Sequence, residues 1–86
     1  MSIKFAQAVD FITQAQKSDE RQRYREAIGL YETGVRHFMD ALKDEIEGEI
    51  AKSAIAEKCQ QYAERAAELR QSVAESESGR IAQTTV

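Results

Sequence analysis

Residues 24–42 read YREAIGLYETGVRHFMDAL. Tyr24, Ala27, Ile28, Tyr31, Val35, Phe38, Met39 and Leu42 recur at three- and four-residue steps, and Ile46 extends the row. That period is the mark of a helix with one apolar face, here more than five turns long. Gly29 and Gly34 lie inside it, and each costs about 1 kcal/mol relative to alanine in a helix interior. The expectation is that one of them lets a neighbouring helix come close. His37, the chain's only histidine, raises a different question: whether this stretch packs or does chemistry.

Packing is the stronger reading. Asp40 falls three residues after His37 and could orient its ring, as a general-base pair requires. No reacting partner accompanies the pair. Cys59 is the only thiol, and it falls on an apolar stripe where a cysteine is inert. One histidine and one cysteine do not supply the roughly four ligands of a zinc site. The acidic run Asp44, Glu45, Glu47 and Glu49 lacks the Asp/Asn-Gly pattern of a calcium loop and reads as solvated helix-end charge. Gly29, Gly34 and Gly48 are too scattered for a phosphate-binding loop. No catalytic residue, cofactor or metal is expected, and His37 is a partly exposed bystander.

Composition narrows the class. Eighty-six residues make one small domain, with little stability to give up for an internal cavity. Function is therefore expected on the surface or in a shallow groove. The chain has no proline, so nothing forces a long helix to break. Twelve basic and fifteen acidic residues give a net charge of −3. The signs are interspersed, which argues against a nucleic-acid binder. A lone cysteine fits a reducing compartment. No apolar run approaches the roughly 20 residues of a membrane span, and the start MSIKFAQAVDFITQ meets Gln7 and Asp10 before a signal-peptide core could form. A soluble, cytoplasmic protein is expected.

Two further helices flank the central one. Phe5, Ala8, Val9, Ile12 and Ala15 form one stripe, with Phe11 off it. Ile55, Cys59, Tyr62, Ala66, Leu69 and Val73 make a heptad row, with Ala56, Ala63 and Ala67 beside it. A turn is placed near Arg21–Arg23, and Gly48 can end the second helix as a C-cap. The fold expected is an all-α, antiparallel three-helix bundle of TPR-like form, with helices at about 3–21, 24–47 and 49–75. The third helix is expected to face both others with its two rows. Residues 1–75 form the domain and SESGRIAQTTV, residues 76–86, a flexible tail or linker. If Val86 is a C-terminus, Thr84 and Val86 could serve as a strand-addition ligand.

Grooves between helices can take a foreign amphipathic helix anchored at i, i+3/4 and i+7. Asp40 and Asp44 share a face of the second helix, and Glu57, Glu64 and Glu68 one of the third. Two acidic rims would favour a ligand with Arg or Lys beside its leucines. Self-association through the heptad row is the alternative.

Ala8-Val9-Asp10, Asp19, YREAIGLY (24–31) and KCQQYAERAAEL (58–69) together resemble the MIT domain, the microtubule-interacting and trafficking module. The likeness spans about residues 5–73 and is nearest to the MIT domain of the AAA ATPase that disassembles ESCRT-III polymers. It implies binding of ESCRT-III C-terminal tails by a monomeric, endosome-associated module, with any catalysis in another part of the parent protein. One mode lays a tail helix between helices two and three; carried over, it would use Leu42, Cys59, Tyr62, Ala63 and Glu64. Another lays an extended tail between helices one and three and would use Ile12. Where the family has a groove leucine this chain has Ala63, and where it has a carboxylate, Ala67. A leucine buried by ligand is worth about 1–3 kcal/mol, so these changes shift the expectation toward the helix-one/three mode.

Overall fold

The computed structural model describes the backbone of residues 3–84 and the side chains of residues 3–78. Three helices follow one another: α1 (Ile3–Glu20), α2 (Tyr24–Asp44) and α3 (Glu49–Thr84). No strand occurs among the described residues. The all-α three-helix expectation holds. Val86, and with it the strand-addition motif, lies outside the described residues.

Each helix end has a local cause. At the end of α1 the Gln22 amide bonds the Asp19 carbonyl at 3.0 Å and the Arg23 amide bonds the Ser18 carbonyl at 2.9 Å. This pair of bonds is a Schellman closure. Its left-handed position is Gln22, at φ +63°, where glycine is the usual occupant. The turn thus falls at 21–23 as expected. At the end of α2 the Glu45 and Ile46 amides both bond the Ala41 carbonyl, at 2.8 and 2.9 Å. The second helix therefore stops at Asp44 rather than 47, and Gly48 is not its C-cap. Gly48 sits directly before α3 at φ +92°, a conformation side chains resist, and its carbonyl accepts from the Lys52 amide. α3 runs on to Thr84, past the expected end at 75. Ala, Glu, Arg and Gln favour continuation there, and no proline stops it.

α2 is the shared helix. α1 and α3 each pack along it, which corrects the expectation that the third helix faces both partners. Ala8, Ile12 and Ala15 from α1, Ala27, Ile28, Tyr31 and Phe38 from α2, and Cys59, Ala66 and Leu69 from α3 form the buried core. Phe5 meets Phe38 edge-on at 5.5 Å, and Tyr62 stacks on both Phe38 and Tyr31 at 6.3 and 6.1 Å. The heptad row on α3 is thus consumed inside the molecule. On the outer side of the α1–α2 seam Phe11 lies on the His37 ring at 4.9 Å. His37 Nδ1 donates to the Thr33 carbonyl at 2.9 Å, so that backbone oxygen, not Asp40, fixes the ring.

Of the two central glycines, Gly34 is the close-approach site. A Cβ there would sit 2.5 Å from Ile12 Cδ1 and 2.9 Å from Cγ1, whereas one at Gly29 would meet nothing within 4 Å. Gly29→Ala should therefore stabilise the domain by about 1 kcal/mol through helix propensity. Gly34→Ala should lose about 1–3 kcal/mol to overpacking, more than that propensity gain offsets. Thermal unfolding reads each kcal/mol as about 4–8 °C in a domain of this size. A melting temperature for Gly34→Ala at or above that of the parent would contradict the packing described.

Candidate functional site

One polar cluster joins all three helices. The Arg65 guanidinium of α3 donates through Nε and Nη2 to both oxygens of Asp19 on α1, each at 2.7 Å. The Tyr31 hydroxyl of α2 donates to the same carboxylate at 3.0 Å. The Asp19 side chain is 13 % exposed. The bidentate bond from Arg65 holds its carboxyl below the ordinary aspartate range. Burial, reinforced by the neighbouring Asp19 carboxylate, pushes the Tyr31 phenol up to about 12. This is a structural tie: three side chains satisfy one another where α1 and α3 meet over α2.

On the α1 side of α3, Phe38 of α2 has Phe5 of α1 against one edge of its ring and Tyr62 of α3 against its face. Val9 stands one turn along α1 from Phe5 and is 42 % exposed. The Asp19–Arg65 tie stands one turn beyond Tyr62.

On the other side, side-chain bridges cross between α2 and α3. Arg70 forks onto Glu32 at 2.7 and 2.8 Å, and Arg25 pairs with Glu77. These two bridges span the upper furrow. Below them a cleft of about 350 Å³ opens between Glu32, Val35, Arg36, Ala63 and Ala66.

The residues expected at the grooves are distributed between surface and core. Ala63 and Glu64 are exposed. Ala63 lines the α2–α3 cleft, and Glu64 accepts from Gln60 at 3.3 Å on the outer side of α3. Tyr62 is half-buried, stacked on Tyr31 and Phe38 of α2, and is not among the residues lining the cleft beside Ala63. Leu42 is half-buried near the end of α2. Cys59 is buried, and burial pushes its thiol pKa up. Ile12 is 4 % exposed and seated against Gly34 in the α1–α2 seam.

The acidic rim expected on the second helix also moves. Asp44 bonds Lys4 of α1, and Asp40 adds its field to that lysine. The Lys4 amide donates to Glu45 at 3.2 Å, so this end of α2 serves α1. Of the first stripe, Phe5 is half-buried and Val9 exposed. Their place on the first stripe was visible, but not which of its members the seam with α2 would bury. No group of three or more metal-ligating side chains occurs among the described residues. No described helix is long and apolar enough to cross a membrane.

Comparison with known families returns a match to the MIT (microtubule interacting and transport) domain over residues 5–71. That span holds α1, α2 and the part of α3 that packs on them. Comparison with curated proteins returns no match.

The tie sets the acid limb of stability. Asp19 is more acidic folded than unfolded, so its contribution is complete above its unfolded pKa, about 3.9. It is lost as pH falls through the lower folded value. Tyr31 works oppositely: stability is complete below about 10 and falls as pH rises toward 12. In urea unfolding from pH 7 down to 2, Asp19→Asn should start about 1–3 kcal/mol less stable and lose less on acidification than the parent. Parallel acid limbs for the two would contradict the assignment.

Proposed function

This chain belongs to the MIT family of non-catalytic protein-interaction domains, and from that membership we infer that it docks the C-terminal tails of ESCRT-III subunits in the furrow between α1 and α3. The observation that supports this furrow is the aromatic floor below the Asp19–Arg65 tie. Phe38 lies between Phe5 and Tyr62, and Val9 stands exposed at the edge. An extended tail lying there would place apolar side chains on Tyr62 and Val9 and leave its backbone to water.

The opposite furrow lacks the groove leucine and one carboxylate of the family pattern, at Ala63 and Ala67. The helical-tail mode there loses apolar contact worth about 1–3 kcal/mol, out of the roughly 8 kcal/mol of a micromolar complex. In this reading residues 1–75 are the docking domain, residues 76–86 lead to a parent protein, and that parent is brought to ESCRT-III assemblies on endosomes. An AAA ATPase is the parent that the likeness of RHFMDALKDE (36–45) and AEKCQQYAERA (56–66) favours.

Titration of the isotope-labelled chain with a panel of ESCRT-III tail peptides tests this. At least one tail should bind with Kd below about 1 mM, a free energy of roughly 4 kcal/mol. It should shift the Val9 and Tyr62 resonances. Val9→Asp, on an exposed position, should weaken that tail about tenfold, or 1.4 kcal/mol, while Ala63→Asp leaves it unchanged. Saturation by no tail, or a tail that Val9→Asp binds as the parent does, would contradict the reading.

A further inference from the structure

α3 outruns the helix beside it. α1 ends at Glu20, and the Asp19–Arg65 tie joins that end to the middle of α3, which runs on to Thr84. Above the tie, α3 lies against the α1–α2 turn and the start of α2, and a hollow of about 560 Å³ is left there. Arg23, Tyr24 and Arg25 form one wall, and Ser72, Val73 and Ser76 the other. The second wall lies wholly beyond residue 71, where the MIT match ends.

Three observations single out Ser72. It is exposed and shares the hollow with Arg23, also exposed; among the described residues no carboxylate forms an ion pair with that arginine. Glu75 and Glu77 follow Ser72 at three and five residues, an acidic flank that complements a kinase with a cationic substrate cleft. Residues 74–78 are all exposed. Past Leu69, half-buried Val73 and the Arg70–Glu32 and Arg25–Glu77 bridges hold α3 to α2. So few buried contacts permit the local opening that carries a helical serine into such a cleft.

We propose that Ser72 is a phosphorylation site whose phosphate is received by Arg23, and that the modification clamps the continuation of α3 to the α1–α2 turn. Ser72 Oγ takes the γ-phosphoryl group of a nucleoside triphosphate. An O–P bond forms, the bond from that phosphorus to the bridging oxygen breaks, the nucleoside diphosphate leaves, and the hydroxyl proton passes to solvent. The product carries a charge of about −2 and three strong acceptor oxygens, two of which match the guanidinium fork. Four carboxylates oppose it. Glu26 and Glu77 line the hollow, but Glu26 accepts from the Ser18 hydroxyl and Glu77 is paired with Arg25. Glu68 and Glu75 lie one turn away on α3 itself, where like charges in water repel weakly. A bidentate arginine–phosphate bond outweighs that repulsion. The site stands above the tie and does not depend on what the α1–α3 furrow binds.

The parent chain, Arg23→Ala and Ser72→Ala are each incubated with an acid-directed serine kinase and magnesium ATP. Mass spectrometry should map a phosphate to Ser72 in the parent and in Arg23→Ala. In the phosphorylated parent, amide exchange over residues 72–78 should slow at least about tenfold relative to the unmodified chain; phosphorylated Arg23→Ala should show no such slowing, and treated Ser72→Ala none either. Phosphorus NMR gives an independent readout. The second ionisation of the phosphate should fall below the value of about 6 for free phosphoserine, and return toward it in Arg23→Ala. Failure of Ser72 to accept phosphate, exchange that is unchanged or faster, or protection that survives Arg23→Ala would overturn the proposal.

Discussion

One carboxylate organises this molecule. Asp19 receives a guanidinium from α3 and a phenol from α2, so each helix contributes one member to a mutually satisfied cluster. The cluster is demanding because its parts cannot be relaxed singly. A buried phenol needs an acceptor, and a largely buried carboxylate needs a cation. Losing one charge-assisted bond costs about 1.5–3 kcal/mol, against a total stability of about 5–15 kcal/mol for an ordinary domain. α1 and α3 otherwise relate to each other through α2, and the tie fixes how far apart they stand across it.

That spacing creates two unlike surfaces. Toward α1, the gap is floored by aromatic rings already packed on one another, with apolar side chains at its edge. Away from α1, α3 offers mostly alanine, and the wall is supplied by α2 with its cations. A rod of small side chains cannot seal its own flanks. The Glu32–Arg70 and Arg25–Glu77 bridges cross the upper part, where a hollow of about 350 Å³ remains between them. The two flanks of α3 therefore differ in chemistry.

Much of this was legible in the residues. The three- and four-residue steps from Tyr24 to Leu42 fix α2, and the heptad row from Ile55 to Val73 fixes the buried face of α3. The polar run around Arg21–Arg23 marks the turn. The second helix was read too long because Ile46 continues the apolar step, yet its amide folds back to Ala41. Which glycine admits a neighbour was not legible, since Gly29 and Gly34 differ only in whether Ile12 lies opposite. Periodicity puts Ile12 on a stripe but does not say that it is the member α2 covers most closely, against Gly34. Asp40 and Asp44 share a face, but only the lateral placement of α1 shows that Lys4 takes Asp44.

The most direct test of the organising role of Asp19 is a double-mutant cycle in chemical unfolding, with Asp19→Asn, Arg65→Gln and the pair. Each single change removes the same charge-assisted pair, so their effects should not add. A coupling of at least about 1.5 kcal/mol, at the upper part of the range for residues in one network, is expected. A coupling within about 0.5 kcal/mol of zero would mean that α1 and α3 are positioned without this tie.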